Sequence, residues 1–335
     1  MIKTIAVTGA SGFVGRHTVE ALLRQGYAVK CLSRSAAGSS GNGQTWHRVD
    51  WDDPDTLKSA LAGADAVIHS AAMHPNRTSR DRDRIINSNV DSTRVLLNAL
   101  PSVDCFVMVS SMRALINRTS GGHFDGNSIY DFEKDDLPYG ISKHRSEEVC
   151  REFALRTGLR TVIVNPTPVI GPGDIGPSPN GTFILGFIKS RLPLSLDTNY
   201  GFVDVRDVAS AIELLMQKGV SGQRYVLCSA NWPLKKFIRQ VQSVAGIERP
   251  IFNIPMPAAY IAGILCDFIE KFGAANLPVT RSTVKFAALR PVFDGSAIEK
   301  LGFSYIPPEN SVKDAVLWLL ENYGNGMGRK KHAAM

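Results

Sequence analysis

Residues 138–148, PYGISKHRSEE, carry a tyrosine and a lysine four positions apart. On a helix, Tyr139 and Lys143 share one face, one turn apart. A phenol can give a proton to a developing alkoxide, but its ordinary pKa near ~10 lies far from neutrality. An ammonium one turn away favours the phenolate and is expected to draw that pKa down. Glu147 and Glu148 could pair with Lys143 or Lys134, and are expected mainly on a solvated face. Such a pair occurs by chance in many helices, so its meaning depends on the elements around it.

Those elements alternate. The apolar runs KTIAVTG, AVKCLSR, DAVIHSAA, VDCFVMVSS and LRTVIVNP are interleaved with longer helical patterns. The runs are short and rich in Val and Ile, and do not alternate with polar residues. They read as strands of a parallel sheet buried on both faces. Right-handed crossovers then give an α/β fold, a doubly wound Rossmann sheet. After Pro166 the pattern breaks. PTPVIGPGDIGPSPNG reads as a loop, with a lid at 174–186, and FILGFIKSRLPL as a helix outside the main sheet. GFVDVRDVASAIELLMQKG returns to strand-then-helix, with Asp207 as the expected N-cap. The expected organisation is a dinucleotide-binding domain from 1–166 plus about 202–230. A smaller, mixed C-terminal substrate lobe takes about 167–201 and 231–325, and 326–335 form a flexible basic tail.

VTGASGFVG sets Gly9, Gly12 and Gly15 between the first strand and the first helix, with Ser11, Phe13 and Val14 completing the turn. Glycines there let the backbone approach a pyrophosphate, whose charge meets the free amides of the helix. The second strand ends CLSRS, with Arg34 where an acid would bind the ribose hydroxyls of NAD. A guanidinium suits the 2′-phosphate of NADP, so NADP is preferred over NAD, and Arg16 could assist.

The Gly-x-x-Gly-x-x-Gly spacing resembles the short-chain dehydrogenase/reductase superfamily, and the chain length its extended branch, the NAD-dependent epimerase/dehydratase superfamily. The resemblance covers roughly residues 3–230. It implies that Ser70, Ala71 and Ala72 line the cofactor, that Asp50 beside Trp51 contacts the adenine, and that Pro166 belongs to the same set. Asn89 in NSNVDSTRVLLNAL matches the family's asparagine, as a support or part of a water relay. Ser111 in VMVSSMRA, 28 residues before Tyr139, matches the catalytic serine, with Ser110 beside it. Ser111 would hydrogen-bond a carbonyl oxygen. Tyr139 would be the general acid/base, and Lys143 would also hydrogen-bond the nicotinamide ribose. Candidate substrate contacts are Met73, His74, Ser111, Arg113, Asn165 and the lid.

PTPVIGPGDIGPSPNG resembles hopanoid-associated sugar epimerases, which stand near the dihydroflavonol-reductase-like group. Three functional readings stay open. Arg34 favours an NADP-dependent reductase of ketones or aldehydes. Asn165 favours a sugar-nucleotide epimerase that uses NAD transiently. The third is a catalytically silent cofactor-binding regulator. Dehydratases resemble one another in an Asp-Glu pair beside the serine, where this chain has Met112 and Arg113. The late residues Tyr260, Ile261, Ile264, Leu265 and Phe268 could wall an apolar pocket or fill a core.

The chain has 335 residues, 44% hydrophobic and 21% charged, with net charge +7. That bias suits an anionic small molecule and is too weak to argue nucleic acid. Five cysteines without Cys-x-x-Cys, and seven histidines without ligand spacing, imply no disulfide framework and no metal site. The N-terminal apolar run is too short for a signal peptide, and no run is long enough to span a bilayer. A cytoplasmic enzyme acting on a small molecule is expected, with a possible homodimer through helices containing 92–100 and 139–156.

Overall fold

The computed structural model describes residues 2–35, 38, 40–73, 82–117, 119–131, 137–271 and 280–324; His74, Lys134 and the tail at 326–335 lie outside them. The main sheet is built from β1 (Thr4–Thr8), β2 (Ala28–Ser33), β3 (Gln44–Arg48), β4 (Ala66–His69), β5 (Cys105–Val109), β7 (Thr161–Pro166) and β11 (Arg224–Leu227). Its order is β11-β7-β5-β4-β1-β2-β3 and every pairing is parallel. Successive residues feed opposite faces. Ile5, Val7, Val107 and Val162 enter one core with α1 (Phe13–Arg24) and α6 (Val205–Lys218). Ala6, Phe106, Met108 and Ile163 enter the other, with α2 (Pro54–Leu61), α3 (Arg82–Asn98) and α4 (Pro138–Thr157). Both faces are covered, so both parities must be apolar, and the sequence shows no alternation.

Winding reverses between β1 and β4. In open α/β sheets the crevice at that reversal, beyond the strands' carboxyl ends, is where ligands bind.

The second lobe has a three-stranded mixed sheet of β8 (Val169–Ile170), β10 (Asn199–Asp204) and β12 (Ala230–Pro233). Around it pack α5 (Pro179–Lys189), α7 (Leu234–Val244) and α11 (Pro308–Tyr323), whose shared core holds Phe187, Phe202, Trp232, Phe237 and Val316. Two short pairs complete the strands: β6 (His123–Phe124) with β14 (Val292–Phe293), and β9 (Leu194–Ser195) with β13 (Phe252–Asn253). The remaining helices among the described residues are α8 (Met256–Lys271), α9 (Arg281–Ala288) and α10 (Ser296–Glu299). Thus β10 lies in the small sheet, whereas α6 packs on α1 and β11 returns to the main sheet.

The expected cap of α6 is corrected. Asp204, not Asp207, is the N-cap, accepting from the Arg206 amide. Asp207 lies in the first turn, buried, and its carboxylate accepts from the Ile306 amide at 3.1 Å. Burial raises its pKa to about 7.

Candidate active site

Gly9 has φ +67°, and a Cβ there would stand 2.7 Å from the Ala71 amide nitrogen. The turn therefore rests directly on the segment after β4. A Cβ on Gly15 would run into the Gly9 carbonyl, so the helix can start this close to the strand only with glycine. Gly12 differs. It is exposed, and its only near neighbour is Gly9 O, at 3.2 Å from an added Cβ. As N-cap of α1 it brings no capping side chain, and the first turn holds no acid. Backbone amides and the positive helix end thus face open space, which fits a dinucleotide pyrophosphate.

The other candidate cofactor contacts lie in the turn itself or at and just after the carboxyl ends of β2, β3, β4 and β7. Phe13 and Val14 are half-buried, and Ser11 Oγ lies 3.4 Å from Ser33 Oγ at the end of β2. Arg34 follows β2, exposed. Asp50 is exposed after β3, its Oδ1 accepting from the Asp52 amide, and half-buried Trp51 packs edge-on to His69. Ser70, Ala71 and Ala72 are half-buried, with the Ala71 amide donating to Thr8 Oγ1. Pro166 ends β7, buried. Arg16 Nη2 donates to Gly173 O at 2.7 Å, tying α1 to the loop after β8. That loop is pinned again where the Gly176 amide donates to Tyr323 Oη at 2.8 Å. Asp174 accepts from the Ser178 amide and hydroxyl.

Ser111 leaves β5 and caps a short 3-10 turn, Met112–Leu115, its Oγ accepting from the Arg113 amide at 3.2 Å. Tyr139 is in the first turn of α4. Gly140 lets that turn close on the 3-10 segment: a Cβ would lie 3.1 Å from Arg113 O. So Ser111 and Tyr139 are brought to one side of the sheet by a glycine contact.

Lys143 is buried, with Nζ donating to Val109 O at 2.8 Å and standing 5.9 Å from the centre of the Tyr139 ring. The expected depression of the Tyr139 pKa is absent here: burial pushes the phenol up. The same burial lowers Lys143 to about 8, with Glu147 and Cys150 pulling the other way.

Asn89 is spent on structure. Its Oδ1 accepts from the Met73 amide at 2.6 Å. Its Nδ2 donates to Met73 O and to Ser142 Oγ, whose hydroxyl donates to Tyr139 O. It clamps the segment after β4 to α4. Asn165 is also corrected. It is fully buried, and its Nδ2 donates to Ser111 O at 3.0 Å and to Glu147 Oε1 at 2.6 Å, so it stands behind Ser111. Arg113 lies over the Phe286 ring at 4.4 Å, lining a small cleft with Ile116, Leu137 and Leu289. His74 lies outside the described residues.

Two features escaped sequence reasoning. Glu147 is fully buried, not solvated. Its spacing was a signal: it lies one turn beyond Lys143 on the face turned to the sheet, while Glu148 turns outward to His144. The other is His69. Thr8 Oγ1 meets its Nδ1 at 2.8 Å, Thr93 Oγ1 its Nε2 at 3.4 Å, and burial lowers its pKa to about 3, so it is neutral.

A sequence profile of the NAD dependent epimerase/dehydratase family matches residues 5–228. A Synechocystis sp. protein provisionally named dihydroflavonol 4-reductase is 32% identical over 337 residues, 97% of this chain and 96% of that one. Sterol demethylase protein B of Methylococcus capsulatus is 30% identical, covering 80% of this chain and 82% of its own. The crystal structure of gox2253 superposes with TM-score 0.83 at 28% identity, covering 96% and 99% of the two chains.

Proposed function

Since the chain belongs to the NAD-dependent epimerase/dehydratase family, an extended short-chain dehydrogenase/reductase type of NAD(P)-dependent enzyme, we propose that it interconverts a carbonyl and the corresponding secondary alcohol, preferring NADP(H). The observation that supports this reading is the approach of α4 to the 3-10 turn at Gly140, next to Tyr139, where Ser111 caps that turn and Lys143 is buried one turn on. When bound, the nicotinamide supplies or accepts hydride. Gly9, Ser11, Gly12, Phe13, Val14 and Gly15 would hold its pyrophosphate, Arg34 the 2′-phosphate, and Asp50 and Trp51 the adenine. Ser70, Ala71, Ala72 and Pro166 would line it.

Ser111 Oγ hydrogen-bonds the carbonyl oxygen and fixes its distance from the phenol. Tyr139 Oη gives a proton to that oxygen in reduction and takes it back in oxidation. Lys143 offsets negative charge on the phenolate and donates to the cofactor ribose. Asn89 holds Met73 and Ser142 in place. Met73, His74 and Arg113 face the substrate in this reading. Phe286 and Leu289 beside Arg113 suit an apolar body with one polar group. The name of the Synechocystis relative agrees with a reductase. The epimerase reading leaned on Asn165, which is fully buried and whose amide nitrogen already donates to Ser111 O and Glu147 Oε1.

The test mixes the protein with NADPH and a carbonyl panel, and separately with UDP-sugars. Net NADPH oxidation on a carbonyl is expected; isomerisation of a sugar without net cofactor turnover overturns the reading. Among the described residues no helix is long and apolar enough to cross a membrane, and the five cysteines are free. A cytoplasmic homodimer remains part of the proposal, checked by fractionation and light scattering.

A further inference from the structure

We propose that Glu147 is a positioning residue of this site: its carboxylate ties the catalytic helix to β5, β7 and β11 and supplies the negative charge beside which Lys143 is held inside the protein. The inference rests on the roles given above to Ser111 and Lys143. Glu147 is wholly buried, which raises its pKa, while the Ser110 hydroxyl, Arg224, Asn165 and Arg151 draw it back down and favour the carboxylate. Each of its oxygens has a distinct task. Oε1 accepts from the Ser110 hydroxyl, in a very short contact, and from Asn165 Nδ2 at 2.6 Å. Oε2 has no hydrogen bond but faces Arg151 Nη2 at 3.6 Å and Arg224 Nη1 at 3.7 Å.

The first set bears on Ser111 from two directions. Ser110 is its neighbour in the chain, and the same Asn165 nitrogen that holds Glu147 also donates to Ser111 O at 3.0 Å. A shift of the carboxylate therefore moves the backbone that aims the Ser111 hydroxyl. The second set explains why the anchor is an acid. Lys143 on α4, Arg151 on α4 and Arg224 on β11 are all cationic and buried or half-buried. Val109 O offers Lys143 only a neutral acceptor, and His69 on β4 is neutral. Cys150 on α4 is held as a thiol by burial. Glu147 is the carboxylate acting on Lys143, and it shares Arg224 with Asp125. An amide of the same shape would keep hydrogen bonds and lose the charge.

The experiment uses the full chain as wild type, Glu147→Gln and Glu147→Asp, with lysines labelled at Cε. The Lys143 resonance is assigned by its disappearance in Lys143→Arg, and its titration is followed by NMR without any substrate. Wild type is expected to titrate near 8. In Glu147→Gln the midpoint falls by about one unit, and kcat falls about tenfold with KM little changed. In Glu147→Asp the carboxylate is kept but drawn back by one methylene, so both changes go the same way and are smaller. A folded Glu147→Gln with the wild-type midpoint overturns the proposal. Should that variant fail to fold, an unmoved midpoint in Glu147→Asp overturns it. If wild type reduces no carbonyl, the functional reading fails while the lysine titration still decides the role of Glu147.

Discussion

Behind Ser111 the interior is polar and hydrogen-bonded, though Glu147 Oε2 and Asn165 Oδ1 have no hydrogen-bond partner; around Phe202 the interior is aromatic. In the first region Ser110, Glu147, Asn165, Asn89 and Ser142 are buried and bonded to one another or to backbone. In the second, Tyr200, Phe202, Trp232 and Phe237 stack edge and face. Tyr200 Oη has no hydrogen-bond partner there. Farther out, α8 leaves Ile261, Leu265 and Phe268 more than half exposed. Directional bonds fix atoms to a few tenths of an ångström, which proton transfer needs. Apolar packing tolerates changes of shape.

Four perturbations would break or sharpen this contrast. Tyr139→Phe, in the rigid region, is expected to lower kcat about a thousandfold with unchanged far-ultraviolet circular dichroism. Retained turnover would remove the phenol from the chemistry. Arg34→Asp, at the rim of the same region, should shift the NADP/NAD affinity ratio toward NAD by about 10–100-fold, read by nucleotide titration; an unmoved ratio makes Arg34 a bystander.

The third concerns Asp207, at the junction of the two regions. Its folded pKa is raised from the model-peptide value 3.8 to about 7. The native state therefore binds more protons than the unfolded chain between those values, and this carboxyl's contribution to stability falls as pH rises through that window. Asp207→Asn should melt about 2–4 °C higher than wild type at pH 8 and show less advantage at pH 4. A constant difference across pH would deny the burial cost. The smallest effect is expected on α8, where Leu265→Ser should change stability by less than about 0.5 kcal/mol. A large loss in chemical denaturation would show that this face is held by contacts the contrast ignores.

The glycine turn and the parallel sheet were legible because each depends on short-range pattern: strand, turn and helix. Asn165 and Glu147 were misread for a common reason. A polar residue on a strand or helix can be exposed or buried with partners, and the partners come from β5, β7 and β11, far apart in sequence. The charge of Lys143 was read as acting on Tyr139, yet position along the helix said nothing of the Val109 carbonyl that receives its proton donors. Asp207 looked like a cap because the strand was expected to end later than it does; Asp204 closes it instead.

The loop after β8 is fastened by Arg16 to the first helix and by Tyr323 to α11. Seen in the order of synthesis, these anchors arrive at opposite times. Arg16 is made early and waits for Gly173, 157 residues later. Tyr323 follows Gly176 by a further 147. A nascent chain folding from its N-terminus can thus complete the glycine turn long before the outer edge of its crevice is fastened. A ribosome paused before α11 would carry a finished cradle with an unfinished rim.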